Sequence, residues 1–202
     1  MAAFDHLAVA AATLGEGAAA VEAALGVALV PGGRHAAMAT HNRLLGLGPH
    51  EYLEVIATDP EAAPPGRPRW FGLDVFAGPP RLTHWIARVG DLDAALAAAP
   101  AGAGRATALA RGDFRWCFGV PEDGRHPFDD CFPALIEWQG DRHPAAALPD
   151  SGCRLVRLEI AHPDPEALKA ALPVRDPRIA VCAGQPALRA TISTPHGERT
   201  LA

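Results

Sequence analysis

The sequence predicts an α+β protein made of two βαβββ modules and a shorter, partial βαββ module. Three observations carry that expectation. A strand bearing one histidine, Phe4-Asp5-His6-Leu7-Ala8-Val9, returns as Leu82-Thr83-His84-Trp85-Ile86-Ala87. Each copy is followed by an amphipathic helical stretch. Each half then closes on a strand with one acid among apolar neighbours, Tyr52-Leu53-Glu54-Val55-Ile56 and Leu135-Ile136-Glu137-Trp138.

After the first strand, Thr13 and Glu16 stand at the spacing in which each side chain satisfies the other residue's free backbone N–H. Leu14, Ala18, Val21 and Leu25 share one helical face, and Gly26 is a suitable stop. Residues 31–34 read as a loop, and 40–47 and 52–58 as strands joined through Gly48-Pro49-His50. The segment 59–80, rich in Pro, Gly and Arg around Trp70-Phe71, loses periodicity and reads as a connection, which bounds the first module with its linker at residues 1–79. In the second module, 80–149, Asp91 caps a helix with Leu92, Ala95, Leu96 and Ala99 on one face. Strands at 107–111, 115–120 and 134–138 follow, the last two separated by a Pro- and Asp-rich loop. The third unit, 150–202, has a strand at 154–160, a helix opened by Asp164-Pro165-Glu166, and strands at 178–181 and 188–193. Arg157 stands where the two histidines stood. This unit is expected to repeat the scaffold without the ligand, packing outside a half or extending its sheet.

Composition narrows the function classes. At 202 residues and 49% hydrophobic, the chain can bury a substantial core. A net charge of −5, with acids and bases mixed along its length, offers no basic stripe to nucleic acid. No apolar run near the start approaches the roughly 20 residues of a membrane span, and none follows a basic segment as a secretory signal would. A cytoplasmic protein with no membrane partner is the expectation. Cys117, Cys131, Cys153 and Cys182 lack metal-binding or redox-motif spacing and read as buried reduced thiols.

Strand alternation assigns faces. Leu7 and Val9 point toward the helix, while Phe4, His6 and Ala8 point away; Glu54 falls with His6, and the second half gives the same division for His84 and Glu137. A carboxylate flanked by Leu and Val, or by Ile and Trp, is costly to desolvate unless a cation or donors meet it. His6, Glu54, His84 and Glu137 are therefore the candidate ligands of a divalent metal, and Ni, Co, Mn, Zn or Fe all suit mixed imidazole and carboxylate donors. The alternative is a metal-free pocket that keeps these groups for other contacts. His41 and Arg43 share a strand face and are candidates to read an anionic substrate, though a solvent-exposed face explains them as well. Trp70 and Trp116 are candidates for apolar substrate contact.

At Asp5-His6-Leu7-Ala8-Val9, at Thr40-His41-Asn42-Arg43-Leu44-Leu45 with Tyr52-Leu53-Glu54-Val55, and at Trp70-Phe71-Gly72-Leu73, the chain resembles glyoxalase-like members of the vicinal oxygen chelate superfamily. The resemblance implies a cupped mixed sheet around a metal held by the four residues, with open positions for two neighbouring oxygens of a small-molecule substrate. It further implies lyase or isomerase chemistry through a metal-stabilised enediolate or oxyanion, with Glu137, more readily than Glu54, moving the proton. Two rivals share the fold: a non-haem iron ring-cleaving dioxygenase using two histidines and one carboxylate, and a metal-free binding or sequestering protein. Spacing does not decide whether the modules complete the site within one chain or by exchange in a homodimer.

Overall fold

In the computed structural model, which describes residues 2–202, the chain forms an eight-stranded mixed sheet and a four-stranded sheet. The first half contributes β1 (Ala3–Ala10), α1 (Leu14–Leu25), β2 (Val30–His35), β3 (Thr40–Gly48) and β4 (Glu51–Thr58). The second contributes β5 (Arg81–Arg88), α2 (Leu92–Ala98), β6 (Arg105–Arg111), β7 (Phe114–Val120) and β8 (Ala134–Trp138). The strand order β2-β3-β4-β1-β5-β8-β7-β6 sets the two histidine strands side by side. His6 stands opposite Ile86, Leu7 opposite Trp85 and Ala8 opposite His84. A local two-fold therefore passes through the Leu7–Trp85 pair and exchanges the histidines.

The sheet has two different faces. Ala8, Ile56, Ile86, Ala134, Ile136, Trp116 and Phe118 line the inner one with Trp70 and Phe71. Leu7, Val9, Leu53, Val55, Trp85 and Leu135 lie on the outer one, against α1 and α2. Thr13 caps α1 by accepting from the Glu16 N–H, and Gly26 ends it at φ 71°. Gly17 lets α1 approach closely, since a Cβ there would stand 2.5 Å from Val55 Cγ1.

Alternation fails at two residues of the β1–β5 pair. The register of β1 against β5 steps from Phe4 opposite Ala87 to His6 opposite Ile86, so Asp5 is a bulge. Phe4 is thereby turned to the outer face, where it stacks on Trp85 with centroids 6.4 Å apart, instead of facing inward with His6. A matching step places a bulge at Thr83, immediately before His84. Residues 30–35, read from sequence as partly loop, form a strand because β2 is an edge, where Pro31 costs no central ladder bond.

A short helix, α3 (Pro144–Ala147), leads to the C-terminal unit: β9 (Arg154–His162), α4 (Pro165–Ala171), β10 (Ile179–Ala183), β11 (Ala187–Thr194) and β12 (Gly197–Leu201). Its element order is βαβββ rather than βαββ. Its strand order, β10-β9-β11-β12, differs from that of the halves. Leu155, Leu158, Ile160, Leu188, Ala190 and Ile192 join one core with Leu7, Leu53 and Trp85, so this sheet covers the outer face of the larger one. Arg157 is exposed and pairs with Glu159 at 3.2 Å. Cys131 and Cys153 are buried, Cys117 is half-buried and Cys182 is exposed; all four are unpaired. Among the described residues no helix is long and apolar enough to cross a membrane.

Candidate functional site

The bulge at Asp5 buries its carboxylate completely and surrounds it with donors. Oδ1 accepts from His6 Nδ1 at 2.6 Å, while Oδ2 accepts from His143 Nε2 at 3.0 Å and Trp138 Nε1 at 3.1 Å. With Nδ1 so engaged, Nε2 of His6 is turned into the cup, 3.6 Å from Glu54 Oε1 and 3.4 Å from the Tyr52 hydroxyl. The His6 ring stacks on Tyr52 at 4.2 Å. The second oxygen of Glu54 accepts from Asn42 Nδ2 at 2.7 Å. Asn42 Oδ1 in turn accepts from Arg111 Nη1 at 3.1 Å, and the same guanidinium nitrogen stands 3.3 Å from His35 Nε2.

Charge organises this network. Burial pushes the Asp5 carboxyl upward, but His143 and His6 outweigh it and hold it well below the usual carboxylate range. Burial likewise opposes ionisation of Glu54, but the hydrogen bond and charge of His6, with a hydrogen bond from Asn42, lower it on balance. For His6, burial favours the neutral ring and the two flanking carboxylates favour the imidazolium, which wins. Burial drives His35 down to about 4, leaving a neutral ring that can accept from Arg111. The cup thus sets two carboxylates against His6 and Arg111. Trp70, Phe71, Trp116, Phe118 and Trp138 wall a cavity of about 20 Å³, enough for one water-sized occupant. A larger ligand enters only as side chains move. Phe71 in this wall holds a left-handed φ of 59°, an unfavourable conformation for a non-glycine residue.

Of the residues singled out from sequence, His6, Glu54, Trp70 and Trp116 come together here. Glu137 does not. In β8, Ala134 and Ile136 face the cup, so Glu137 goes with Leu135 to the outer face, where it accepts from the Leu92 N–H at 2.7 Å and from Gln139. Glu54 stands opposite Ala8, and the residue opposite the equivalent Ile86 is Ala134, so the second half has no counterpart to Glu54. His41 and Arg43 are also off the cup: Leu44 pairs with Glu54, which puts Asn42 on the inner face and its two neighbours on the other. The sequence reading missed Asp5, His35, Asn42, Tyr52 and Arg111. Asn42 was accessible by counting two residues back from Leu44; nothing local marks Arg111.

His84 faces inward but into a separate cluster. Its ring lies 4.7 Å from Phe71 and 5.3 Å from that of His126. Nε2 stands 3.2 Å from Asp130 Oδ1, within ion-pair distance but without hydrogen-bond geometry. Both ring nitrogens of His84 and both of His126 are buried with no hydrogen-bond partner in the protein, a situation costing about 1–3 kcal/mol for each group left unsatisfied. Ligating atoms of His84, His126 and Asp130 all lie within 4.8 Å of one another, and this is the group among the described residues able to hold a metal ion. The four-residue set His6, Glu54, His84 and Glu137 does not fit a single ion. Only two of its members aim donor atoms at a shared point in the cup.

A cupped sheet built from two related halves, with a polar centre on its inner face, defines a glyoxalase-like protein. Residues 4–174 match the glyoxalase-like domain family, and the chain belongs to it. The resemblance read from the sequence is borne out. Among solved structures, a hypothetical protein from Staphylococcus aureus is similar at 11% identity with a TM-score of 0.63, over 92% of this chain and 88% of that one; the likeness is one of fold alone. Methylmalonyl-CoA epimerase from Mycobacterium tuberculosis is 22% identical with a TM-score of 0.44, over 72% of this chain and 92% of that one. A variant of the Streptomyces coelicolor methylmalonyl-CoA epimerase in complex with 2-nitronate-propionyl-CoA is 16% identical with a TM-score of 0.42, over 67% and 95%. Comparison with curated proteins gives no match.

Proposed function

We propose that this chain is a glyoxalase-like enzyme of the isomerase or lyase type, moving a proton on a small molecule that carries oxygens on adjacent carbons. The observation that carries this reading is the facing pair of His6 Nε2 and Glu54 Oε1, 3.6 Å apart, each with its other polar atom already fixed by Asp5 or Asn42. Preset orientation of this kind is what general acid–base catalysis requires.

In this reading the ionised Glu54 removes a proton from the carbon beside a carbonyl. The C–H electron pair becomes the new C=C bond, and the carbonyl oxygen takes the proton of the His6 imidazolium, giving an enediol. Return of the proton from Glu54 to the neighbouring carbon, and of the hydroxyl proton to His6, completes an isomerisation. Asp5 keeps the imidazole in place and stabilises its charged form. Arg111 supplies a second fixed positive charge, suited to a substrate carboxylate or a developing oxyanion. No metal enters this sequence of steps, because the donors at the cup do not make a ligand set.

The test follows solvent deuterium entering a panel of small 2-hydroxycarbonyl compounds by NMR. Glu54→Gln should lower exchange by about 10²- to 10⁴-fold. Equal exchange by this variant and the unaltered protein would remove Glu54 from the chemistry. The small aromatic-walled cavity also favours a second reading, a sequestering module. Panel compounds that raise the thermal midpoint without any exchange would decide for it.

A further inference from the structure

We propose that His84, His126 and Asp130 form a binding site for a divalent transition-metal ion of the zinc type, separate from the His6–Glu54 cup. Two of the three side chains are buried imidazoles with neither nitrogen hydrogen-bonded, and the third is a carboxylate whose Oδ1 lies 3.2 Å from His84 Nε2. Ligands about 2.0–2.1 Å from a tetrahedral ion are separated from each other by about 3.3 Å, so this spacing is already that of a coordination shell. Two imidazoles and one carboxylate select zinc, cobalt, nickel or ferrous iron over magnesium and calcium, which prefer all-oxygen shells.

Backbone and surroundings agree. Phe128, Asp129 and Asp130 take three consecutive left-handed φ values, 56°, 53° and 68°. This turn, closed by Cys131 N to Phe128 O at 2.9 Å and Asp130 N to His126 O at 3.1 Å, folds the Asp130 carboxylate back to accept from the His126 N–H at 2.7 Å. His126 also borders an open cleft of about 720 Å³ that it shares with Arg105, Arg125 and Asp129, which provides a route from solvent. The ion would tie the loop of residues 121–133 to β5. Phe71 packs on both His84 and His126 and also walls the cup, so the tie would steady that wall.

The experiment titrates chelator-treated, tag-free protein with Co(II), following the visible absorption bands, and repeats the titration with Zn(II) by calorimetry. We expect one ion per chain. Loss of an outer-shell partner typically weakens metal binding about 10- to 100-fold, so loss of a ligand in His126→Ala or Asp130→Asn should cost more than about 100-fold. His6→Ala should leave Co(II) affinity unchanged. Zn(II) should raise the thermal midpoint of the unaltered protein and not of the two ligand variants. Should His126→Ala fail to fold by circular dichroism, the near-isosteric Asp130→Asn decides alone. Undiminished Co(II) affinity in Asp130→Asn, or loss of binding in His6→Ala, would overturn the proposal. Undiminished Co(II) affinity in Asp130→Asn has no bearing on deuterium exchange at Glu54, so the failure of this proposal is distinguishable from failure of the proposed function.

Discussion

Asp5→Asn is the sharpest test of how the cup is held. The substitution keeps size and shape but replaces a buried carboxylate that accepts from His6, His143 and Trp138. An amide offers one accepting oxygen, and its NH₂ group must face at least one of these N–H donors. Removing one partner from a buried, hydrogen-bonded ion pair costs about 3–5 kcal/mol. For a chain of this length that corresponds to a fall of about 6–20 °C in thermal midpoint. Urea denaturation at neutral pH should give a lower midpoint concentration with an unchanged slope. The pH dependence has a definite sign. Because the folded pKa of Asp5 is depressed, its contribution is present above the ordinary carboxylate range and is lost as pH falls toward the folded value. Because that of His6 is raised, its contribution is complete below the ordinary histidine value and is lost as pH rises through the folded one. The gap between unaltered protein and variant should therefore be widest between those limits. A difference under about 0.5 kcal/mol, the range of ordinary surface substitutions, or a gap that widens into acid, would refute this account of Asp5.

Two further substitutions test the packing. Gly17→Ala places a methyl group 2.5 Å from Val55 Cγ1 and 2.6 Å from Ala11 Cβ, so overpacking should destabilise by about 1–3 kcal/mol despite alanine's better helix propensity. A raised thermal midpoint would mean that α1 does not approach the sheet so closely. Glu137→Ala removes the acceptor for the Leu92 N–H at the start of α2, a loss of about 1 kcal/mol by analogy with helix caps. Its Co(II) affinity should match that of the unaltered protein, and a loss would return Glu137 to the metal ligands.

The architecture was largely legible because periodicity changes visibly from two to 3.6 and back, and because the histidine strand occurs twice. What local pattern could not give was parity. In the five residues of β8, Leu135 and Ile136 are both apolar, so either could face inward. The choice is made by Ile86 pairing with Ala134, a contact made 48 positions away along the chain. The bulge at Asp5 is likewise invisible to alternation, which counts Phe4 on the inner face when the structure turns it outward. His126 and Asp130 lie in a Pro- and Asp-rich loop, where no periodicity assigns either a face. Their spacing gains meaning only when three left-handed residues fold the loop onto His84. The third unit's pairing also departs from the repeat, since helix and strand order alone do not specify which strands become neighbours.

The near-symmetry about Leu7 and Trp85 does not extend to the surroundings of the two histidines. The two histidines it exchanges stand in separate polar neighbourhoods, His6 with Asp5 and Glu54, His84 with His126 and Asp130. Substitution can therefore alter the polar groups of one neighbourhood without touching those of the other, and Phe71, which packs on His84 and also walls the cup, is a contact through which a change in one would be felt in the other.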